Sequence, residues 1–271
     1  PFWYPATKHA YRTAKILNFD ITVFAPKGRG EAGTLEMVHF LKKVLEERYD
    51  GICISPIADL RVEKLLQKMA EKGVEVIFIL SAFDSVPYRT LIGTDSYQCG
   101  RSTGEAVREA LGADGAVGII KWKDNLIETV EDRYHGVVDV LKENRIPYYD
   151  MTGPGEPTAE EATKLTDRLL TEHPDISVLC ATNVGWGLAF ARYLKSKGKK
   201  VKLVTVDFTD EVGEFMKAGY VDAAIAQRPE SWGSMTLEKI EAVFEGQSIP
   251  KTIDTGTYPV TPANIRIYVK D

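Results

Sequence analysis

Features that would identify several common classes of protein are missing from this 271-residue chain. No apolar run approaches the roughly 20 residues that a membrane-spanning helix requires. The formal net charge of −5 at pH 7 argues against a nucleic-acid surface, because such a surface needs a basic patch to neutralise phosphates. The basic residues are also scattered among acidic ones, as on solvated helix surfaces. We therefore predict no nucleic-acid partner.

Residues that commonly carry out catalysis or bind metals are few and unsuitably spaced. Cys53 and Cys180 lie within apolar runs and Cys99 opens a predicted helix, so no cysteine has metal-ligand spacing. The four histidines lie in helical patterns at unrelated spacings and form no metal triad. The chain has no nucleophile elbow of the Ser-His-Asp hydrolases. The sequence predicts a protein that is not an enzyme, with no catalytic residues, no bound metal and no cofactor.

Short apolar runs alternate with amphipathic stretches along most of the chain. The predicted strands are residues 20–25, 51–55, 75–80, 90–94, 116–122, 147–151, 176–181, 201–206 and 222–226. Continuous apolar runs suit strands that are buried on both faces. Since helices separate these strands, the pattern predicts an α/β fold with parallel sheets covered by helices on both sides.

The strand–helix pattern restarts near Thr94, with about three units before this point and about five after it. Two doubly wound parallel-sheet lobes of similar build would account for the restart. A doubly wound lobe normally opens with a strand, yet residues 6–17 already have a helical pattern and no strand precedes Pro1. We expect the first strand to be missing, unless residues 266–269 replace it.

Polar side chains follow three of the predicted strands in the second half of the chain. Asn183, Asp207 and Gln227 each come after an apolar run, and Arg133 lies early in the helix after an earlier run. Ligands of open parallel sheets bind outside the carboxyl ends of the strands. This cluster supplies donors and acceptors but contains no nucleophile–base pair, so it predicts a binding site.

Two further sequence features allow alternative interpretations. Phe2 and Trp3 are either a packed N-terminal cap or an aromatic wall that stacks on a ligand, and Trp122, directly after a strand, could line the same cleft. Residues 28–33 match G-x-G-x-x-G between a strand and a helix, as in dinucleotide-binding enzymes. The next strand, however, ends in Ser55 rather than in an acid that could hold a ribose.

Several segments in a fixed order resemble the type I periplasmic binding proteins for ribose, glucose and related sugars. These segments are residues 1–3 (PFW), 91–104 (LIGTDSYQCGRSTG), 133–137 (RYHGV), 171–183 (TEHPDISVLCATN), 204–211 (VTVDFTDE), 219–233 (GYVDAAIAQRPESWG) and 253–265 (IDTGTYPVTPANI). The resemblance implies two lobes joined by three crossovers. The predicted lobes are residues 1–94 with 228–254, and residues 95–227 with 255–271.

The resemblance also implies a function and a role for each site residue. In that family the ligand lies between two hinged lobes. The resemblance implies that this protein serves an ABC-type importer or a membrane sensor outside the cytoplasm, as a monomer. Phe2 and Trp3 would stack on a sugar ring, and Arg133 would donate hydrogen bonds to ligand oxygens. Asn183 would both donate and accept hydrogen bonds, and Asp207 would accept them from a pair of hydroxyl groups. The remaining ligand-binding residues predicted at the site are Gln227 and Trp122.

Alternatives remain at this stage, because lactose-repressor-type transcription regulators share the fold in their ligand-binding cores. The sequence also departs from the sugar binders after the strand at residues 75–80, where the family usually has an aspartate and this chain has Leu80 and Ser81. We therefore expect a ligand that is less hydroxylated on one edge than a plain pentose or hexose.

Overall fold

The computed structural model describes residues 3–28, 30–112, 114–122, 128–155, 157–198 and 200–269. Its helices are α1 Tyr4–Leu17, α2 Glu31–Glu46, α3 Leu60–Glu71, α4 Ser96–Leu111, α5 Glu128–Glu143, α6 Ala159–Glu172, α7 Val184–Lys197, α8 Asp210–Lys217 and α9 Pro229–Phe244. Its strands are β1 Gly51–Ile54, β2 Glu75–Ile79, β3 Thr90–Gly93, β4 Ala116–Trp122, β5 Tyr148–Gly153, β6 Ile176–Ala181, β7 Lys202–Val206, β8 Ala223–Ala226, β9 Thr252–Asp254 and β10 Tyr258–Val260.

The chain divides into two compact units. The first unit consists of Pro1–Thr94 and Arg228–Thr255, and the second of Asp95–Gln227 and Gly256–Asp271. The lobes predicted from the sequence differ from these units only in the assignment of Thr255.

The first unit contains a parallel sheet with the strand order β1-β2-β3-β9. Val76 and Phe78 of β2 pack in one cluster with residues of α2 and α3. Ile77, between them, packs in another cluster with Trp232 and Ile240 of α9. Because successive strand residues point to opposite faces, both faces of this sheet are covered, which explains the continuous apolar runs.

The second unit contains a sheet with the order β10-β8-β7-β6-β4-β5, in which β10 is antiparallel and the other strands are parallel. Val117 and Ile119 of β4 pack against residues of α4 and α5. Ile120 packs on the other face, in the cluster that includes Trp186 and Phe190 of α7. The predicted α/β class with parallel, helix-covered sheets is confirmed.

Local sequence signals define several helix starts. Thr158 and Glu161 form a reciprocal capping box at α6, and the Asp95 side chain accepts a hydrogen bond from the Gln98 amide at the start of α4. Such caps satisfy amide groups that have no partner within the helix. Helix α7 ends at Lys197, and Gly198 after it adopts a left-handed conformation.

Two strand predictions were wrong. Residues 20–25 have no regular secondary structure and are mostly exposed. Their β-branched and aromatic composition favours a strand, but a strand also requires a neighbour with which to form a hydrogen-bonded ladder, and no strand in the described part of the chain pairs with them. The suggested substitute strand at 266–269 is also absent, because Ile265–Ile267 form a short 3-10 helix. Among the described residues, the first element is α1.

Candidate ligand-binding site

The site lies in the second unit, where adjacent strands end next to one another. Asn183 follows β6, Asp207 follows β7 and Gln227 follows β8, and these three strands are neighbours in the sheet. Arg133 comes from α5, the helix after β4, which is the next strand in the same sheet. All four side chains are at most 9% exposed, so the structure brings the four predicted polar residues to one buried edge of the sheet.

Hydrogen bonds connect three of these residues. The Gln227 amide nitrogen donates to Asp207 Oδ1 at 2.6 Å. The Arg133 guanidinium reaches Gln227 Oε1 and the carbonyl oxygen of Thr182, each at 3.4 Å. Because 3.4 Å is long for an N–H···O bond, whose usual range is about 2.7–3.2 Å, the protein itself satisfies Arg133 only weakly. Thr182 contributes only its backbone carbonyl oxygen. Its side-chain type therefore gives no signal in the sequence that it belongs to the site.

Two buried donors at the site have no partner within the described structure. Arg133 Nε and Asn183 Nδ2 are inaccessible to water and make no hydrogen bond there. The other end of the Asn183 amide is engaged, because Oδ1 accepts a hydrogen bond from the Trp186 amide and caps α7. Buried donors without partners are rare in folded proteins because they are costly. The described structure therefore leaves hydrogen-bonding capacity unused at two donors of the site.

Asp207 combines a charged group with an unusual backbone. Its φ angle is 70°, a left-handed conformation that is uncommon for a residue other than glycine. Burial raises the pKa of the Asp207 carboxyl above its ordinary 3.8, while Arg133, Gln227 and the Val184 amide act in the opposite direction. Strained backbone and desolvated carboxylates are often found at functional sites. Both features make Asp207 a candidate functional residue.

Two of the three predicted aromatic residues, Trp122 and Trp3, lie among the described residues. Trp122 ends β4 and packs against the core cluster that includes Trp186, and its indole nitrogen is buried without a partner. Trp3 belongs to the first unit, where its ring lies 5.5 Å from that of the buried Trp232. Phe2 lies outside the described residues. A ligand-binding role for these three residues stays a prediction.

Leu80 marks the end of β2 in the first unit. It has a φ of 67°, and its amide donates to the Ile92 carbonyl oxygen at 3.0 Å. Leucine has no side-chain hydrogen bond with which to offset a left-handed backbone, so this conformation is unusual. Leu80, like Asp207, is therefore a strained residue.

The backbone amides at the start of the glycine-rich segment 28–33 are already hydrogen-bonded within the protein. The amides of Lys27 and Gly28 donate to the carboxylate of Glu36, at 2.7 and 3.1 Å. A pyrophosphate would need such amides for itself and would be repelled by this carboxylate. Because Glu36 of α2 already accepts hydrogen bonds from these amides, the structure argues against the dinucleotide interpretation.

Reactive groups are also unfavourably placed for catalysis. Burial raises the pKa of the Cys53 and Cys180 thiols to about 12, so neither forms the thiolate that acts as a nucleophile. Within the described residues, no group of three or more His, Cys, Asp or Glu side chains could hold a metal ion. The same part of the chain contains no helix that is long and apolar enough to span a membrane.

Comparison with known proteins shows the family. Residues 1–248 match the family described as periplasmic binding protein domain. The chain belongs to the periplasmic binding protein family. A curated relative of this periplasmic binding protein, the ribose import binding protein RbsB of Bacillus subtilis (strain 168), is 20% identical over 260 residues, which are 93% of this chain and 81% of the relative.

Solved structures support the fold of this periplasmic binding protein. A solute binding protein of an ABC transporter from Burkholderia graminis, in complex with D-arabinose, aligns with a TM-score of 0.87 and 23% identity over 100% of this chain and 94% of that one. A LacI transcriptional regulator, described as putative, from Bacteroides fragilis aligns with a TM-score of 0.82 and 19% identity over 99% and 94%. At these identities the alignments show the type I fold.

Proposed function

We propose that this periplasmic binding protein captures a small polar ligand, a sugar or a sugar-like polyol, outside the cytoplasm. It then delivers the ligand to an ABC-type importer or presents it to a membrane sensor. The observation that carries this proposal is the buried cluster in which Arg133 Nε and Asn183 Nδ2 have no partner within the described structure. The ribose import binding protein among its relatives supports the choice of a carbohydrate and of an importer as partner.

The chemistry of the cluster suits hydroxyl groups. A hydroxyl can donate one hydrogen bond and accept two, so neighbouring hydroxyls can donate to Asp207 while they accept from Arg133 and Asn183. Arg133 and Asp207 carry opposite charges, so the pair has no net charge to attract an ion. A neutral polyol edge fits these groups better than a carboxylate or an ammonium group does.

The proposal also covers the oligomeric state, cofactor requirement and catalytic activity of the protein. We infer that it binds its ligand as a monomer, needs no cofactor and catalyses no reaction. The family relationship supports this inference, because the curated relative is an import binding protein rather than an enzyme. Contact with nucleic acid is not part of the proposal, because it is favoured by a net basic charge and the formal charge of this chain is −5 at pH 7.

A thermal-shift panel of sugars, deoxy sugars and polyols tests the proposal and the preference expected from Leu80. A hydroxyl buried without a partner costs about 1–3 kcal/mol, and leucine cannot replace the aspartate that sugar binders usually have at this position. We expect 2-deoxy-D-ribose and similar compounds to raise the melting temperature more than D-ribose or D-glucose does. Strong stabilisation by the plain sugars alone would show that Leu80 does not set this preference.

A matched variant makes that test sharper. Leu80→Asp should shift the preference toward D-ribose, whereas Leu80→Asn adds a polar group without the charge and should shift it less. Both variants introduce a side chain that tolerates the left-handed backbone at position 80 better than leucine does. If neither substitution alters the ranking of the panel, position 80 does not contact the ligand.

Ligand binding should also change the dimensions of the protein. The resemblance to sugar binders implies that the two lobes close around the ligand, with short crossovers that absorb the change in backbone angles. We expect the radius of gyration from small-angle X-ray scattering to decrease when the stabilising sugar of the panel is added. Identical scattering curves at saturating sugar would count against closure, because a ligand shifts this equilibrium only by binding one form better.

The ligand-binding core of a transcription regulator is the second candidate, because a regulator from Bacteroides fragilis has the same fold. The gene upstream of the codon for Pro1 discriminates between the two. An encoded signal sequence with a lipoprotein cysteine would favour transport, and an encoded helix-turn-helix would favour regulation. A dinucleotide-binding enzyme is the less favoured alternative. Titration with NAD tests it, and we expect the tryptophan fluorescence to stay unchanged.

A further inference from the structure

Helix α4 contacts both sides of the candidate site. Its buried residue Cys99 packs in one cluster with Val206 and Ile225. Val206 is the last residue of β7 and directly precedes Asp207, while Ile225 lies in β8 two residues before Gln227. One side of α4 therefore rests on the two strand ends that carry the acceptor groups of the site.

The residue next to Cys99 contacts the donor side. A Cβ atom added to Gly100 would lie 2.8 Å from both the Cα and the carbonyl carbon of Arg133, and closer still to its carbonyl oxygen. Real Cβ atoms essentially never come within 3.0 Å of such atoms. The backbones of α4 and α5 thus touch at the residue that supplies the guanidinium, and any side chain at Gly100 would push Arg133 away.

The hydrogen bonds of the buried Arg133 side chain restrain it only weakly. Its hydrogen bonds to Thr182 and Gln227 are both 3.4 Å long, and its Nε has no partner within the described structure. Such bonds would offer little resistance to a displacement of the Arg133 backbone. Helix α4 packs against that backbone at Gly100 and against Val206, the residue before Asp207, at Cys99.

We propose that Cys99 and Gly100 are positioning residues, which set the distance of Arg133 from Asp207 and Gln227 and thereby the affinity for the ligand. Neither residue needs to touch the ligand. The geometric part of this proposal concerns the free protein, and only its consequence for affinity rests on the proposed function.

The first experiment uses the free protein. The carboxyl carbon of Asp207 is titrated by 13C NMR, with Asp207→Asn used to assign its signal. Since the positive charge of Arg133 lowers the pKa of Asp207, Gly100→Ala should move Arg133 away and raise that pKa. In an Arg133→Gln background, Gly100→Ala should leave the pKa unchanged, because there is no charge left to displace.

Gly104→Ala is the matched control. Gly104 lies one turn further along α4, and its added Cβ would come within 2.7 Å of the Val140 side chain of α5 without touching Arg133. This variant should also lower the melting temperature, though less than Gly100→Ala does because it meets a side chain instead of backbone atoms, and it should leave the Asp207 pKa unchanged. Equal shifts of the pKa in both variants would mean that general helix packing is responsible, and would overturn the proposal.

The second experiment measures affinity by calorimetry with 2-deoxy-D-ribose and D-ribose as probes. Gly100→Ala should weaken binding at least about tenfold more than Gly104→Ala, a difference that disappears in the Arg133→Gln background. If no compound of the thermal-shift panel binds the unmodified protein, the proposed function fails while the titration still decides the positioning role. If Gly100→Ala does not fold, Cys99→Ala replaces it, and an Asp207 pKa that is unchanged in Cys99→Ala would then overturn the proposal.

Discussion

Replacing Asp207 or Arg133 by alanine is expected to weaken sugar binding at least about tenfold, and the two substitutions are the most damaging single changes at the site. A hydrogen bond to a charged group contributes about 1.5–3 kcal/mol, and each 1.4 kcal/mol corresponds to roughly a factor of ten in the dissociation constant. Alanine at Asp207 also leaves the Gln227 amide without its 2.6 Å partner. Calorimetry with the most stabilising sugar of the panel measures the loss.

Two controls separate binding from folding. Asp207→Asn keeps the shape and removes only the charge, so it should lose affinity while the melting temperature of the free protein does not fall, because burial disfavours the ionised carboxylate. Asp222→Ala removes a carboxylate that accepts a hydrogen bond from the Leu203 amide, at the opposite end of the strands. It should lower stability and leave affinity unchanged. Unaltered affinity in both Asp207→Ala and Arg133→Ala would refute the assignment of the site.

The positions of the site residues could be predicted because the relevant rule is topological. Asn183, Asp207 and Gln227 each follow a run of buried residues, and parallel strands bring such positions to one edge. Arg133 required only the recognition of a helix after β4. The ligand-binding role of these residues stays a prediction, although the structure places them together.

Other features depend on geometry that sequence patterns do not contain. The lack of a partner for Arg133 Nε and Asn183 Nδ2 arises from side-chain directions within tertiary packing. Gly100 is an ordinary small residue in a helical pattern, and its contact with Arg133 exists only because two helices cross there. Residues 20–25 show the reverse case, in which a strong local preference for a strand has no paired neighbour in the described structure.

Affinity for the ligand should fall as the pH decreases, because binding and protonation compete for Asp207. Burial raises the pKa of its carboxyl above 3.8 in the free protein. Ligand hydroxyls donate to the ionised form and favour it, so the pKa in the complex must lie lower than in the free protein. Between these two pKa values affinity should decrease by up to about tenfold per pH unit, since one proton is released on binding.

The same shift has the opposite effect on the stability of the free protein, which gives an internal check. A carboxyl whose pKa is raised by folding contributes stability at low pH, and this contribution is lost as the pH rises through the raised value. For Asp207 acidification should therefore favour the folded free protein while it weakens the complex. Affinity is measured at a series of pH values above 3.8, for the unmodified protein and for Asp207→Asn. The difference between the two profiles gives the contribution of the Asp207 carboxyl. The variant should show a flat profile over the interval in which the unmodified protein loses affinity, and parallel profiles would assign the proton to another group.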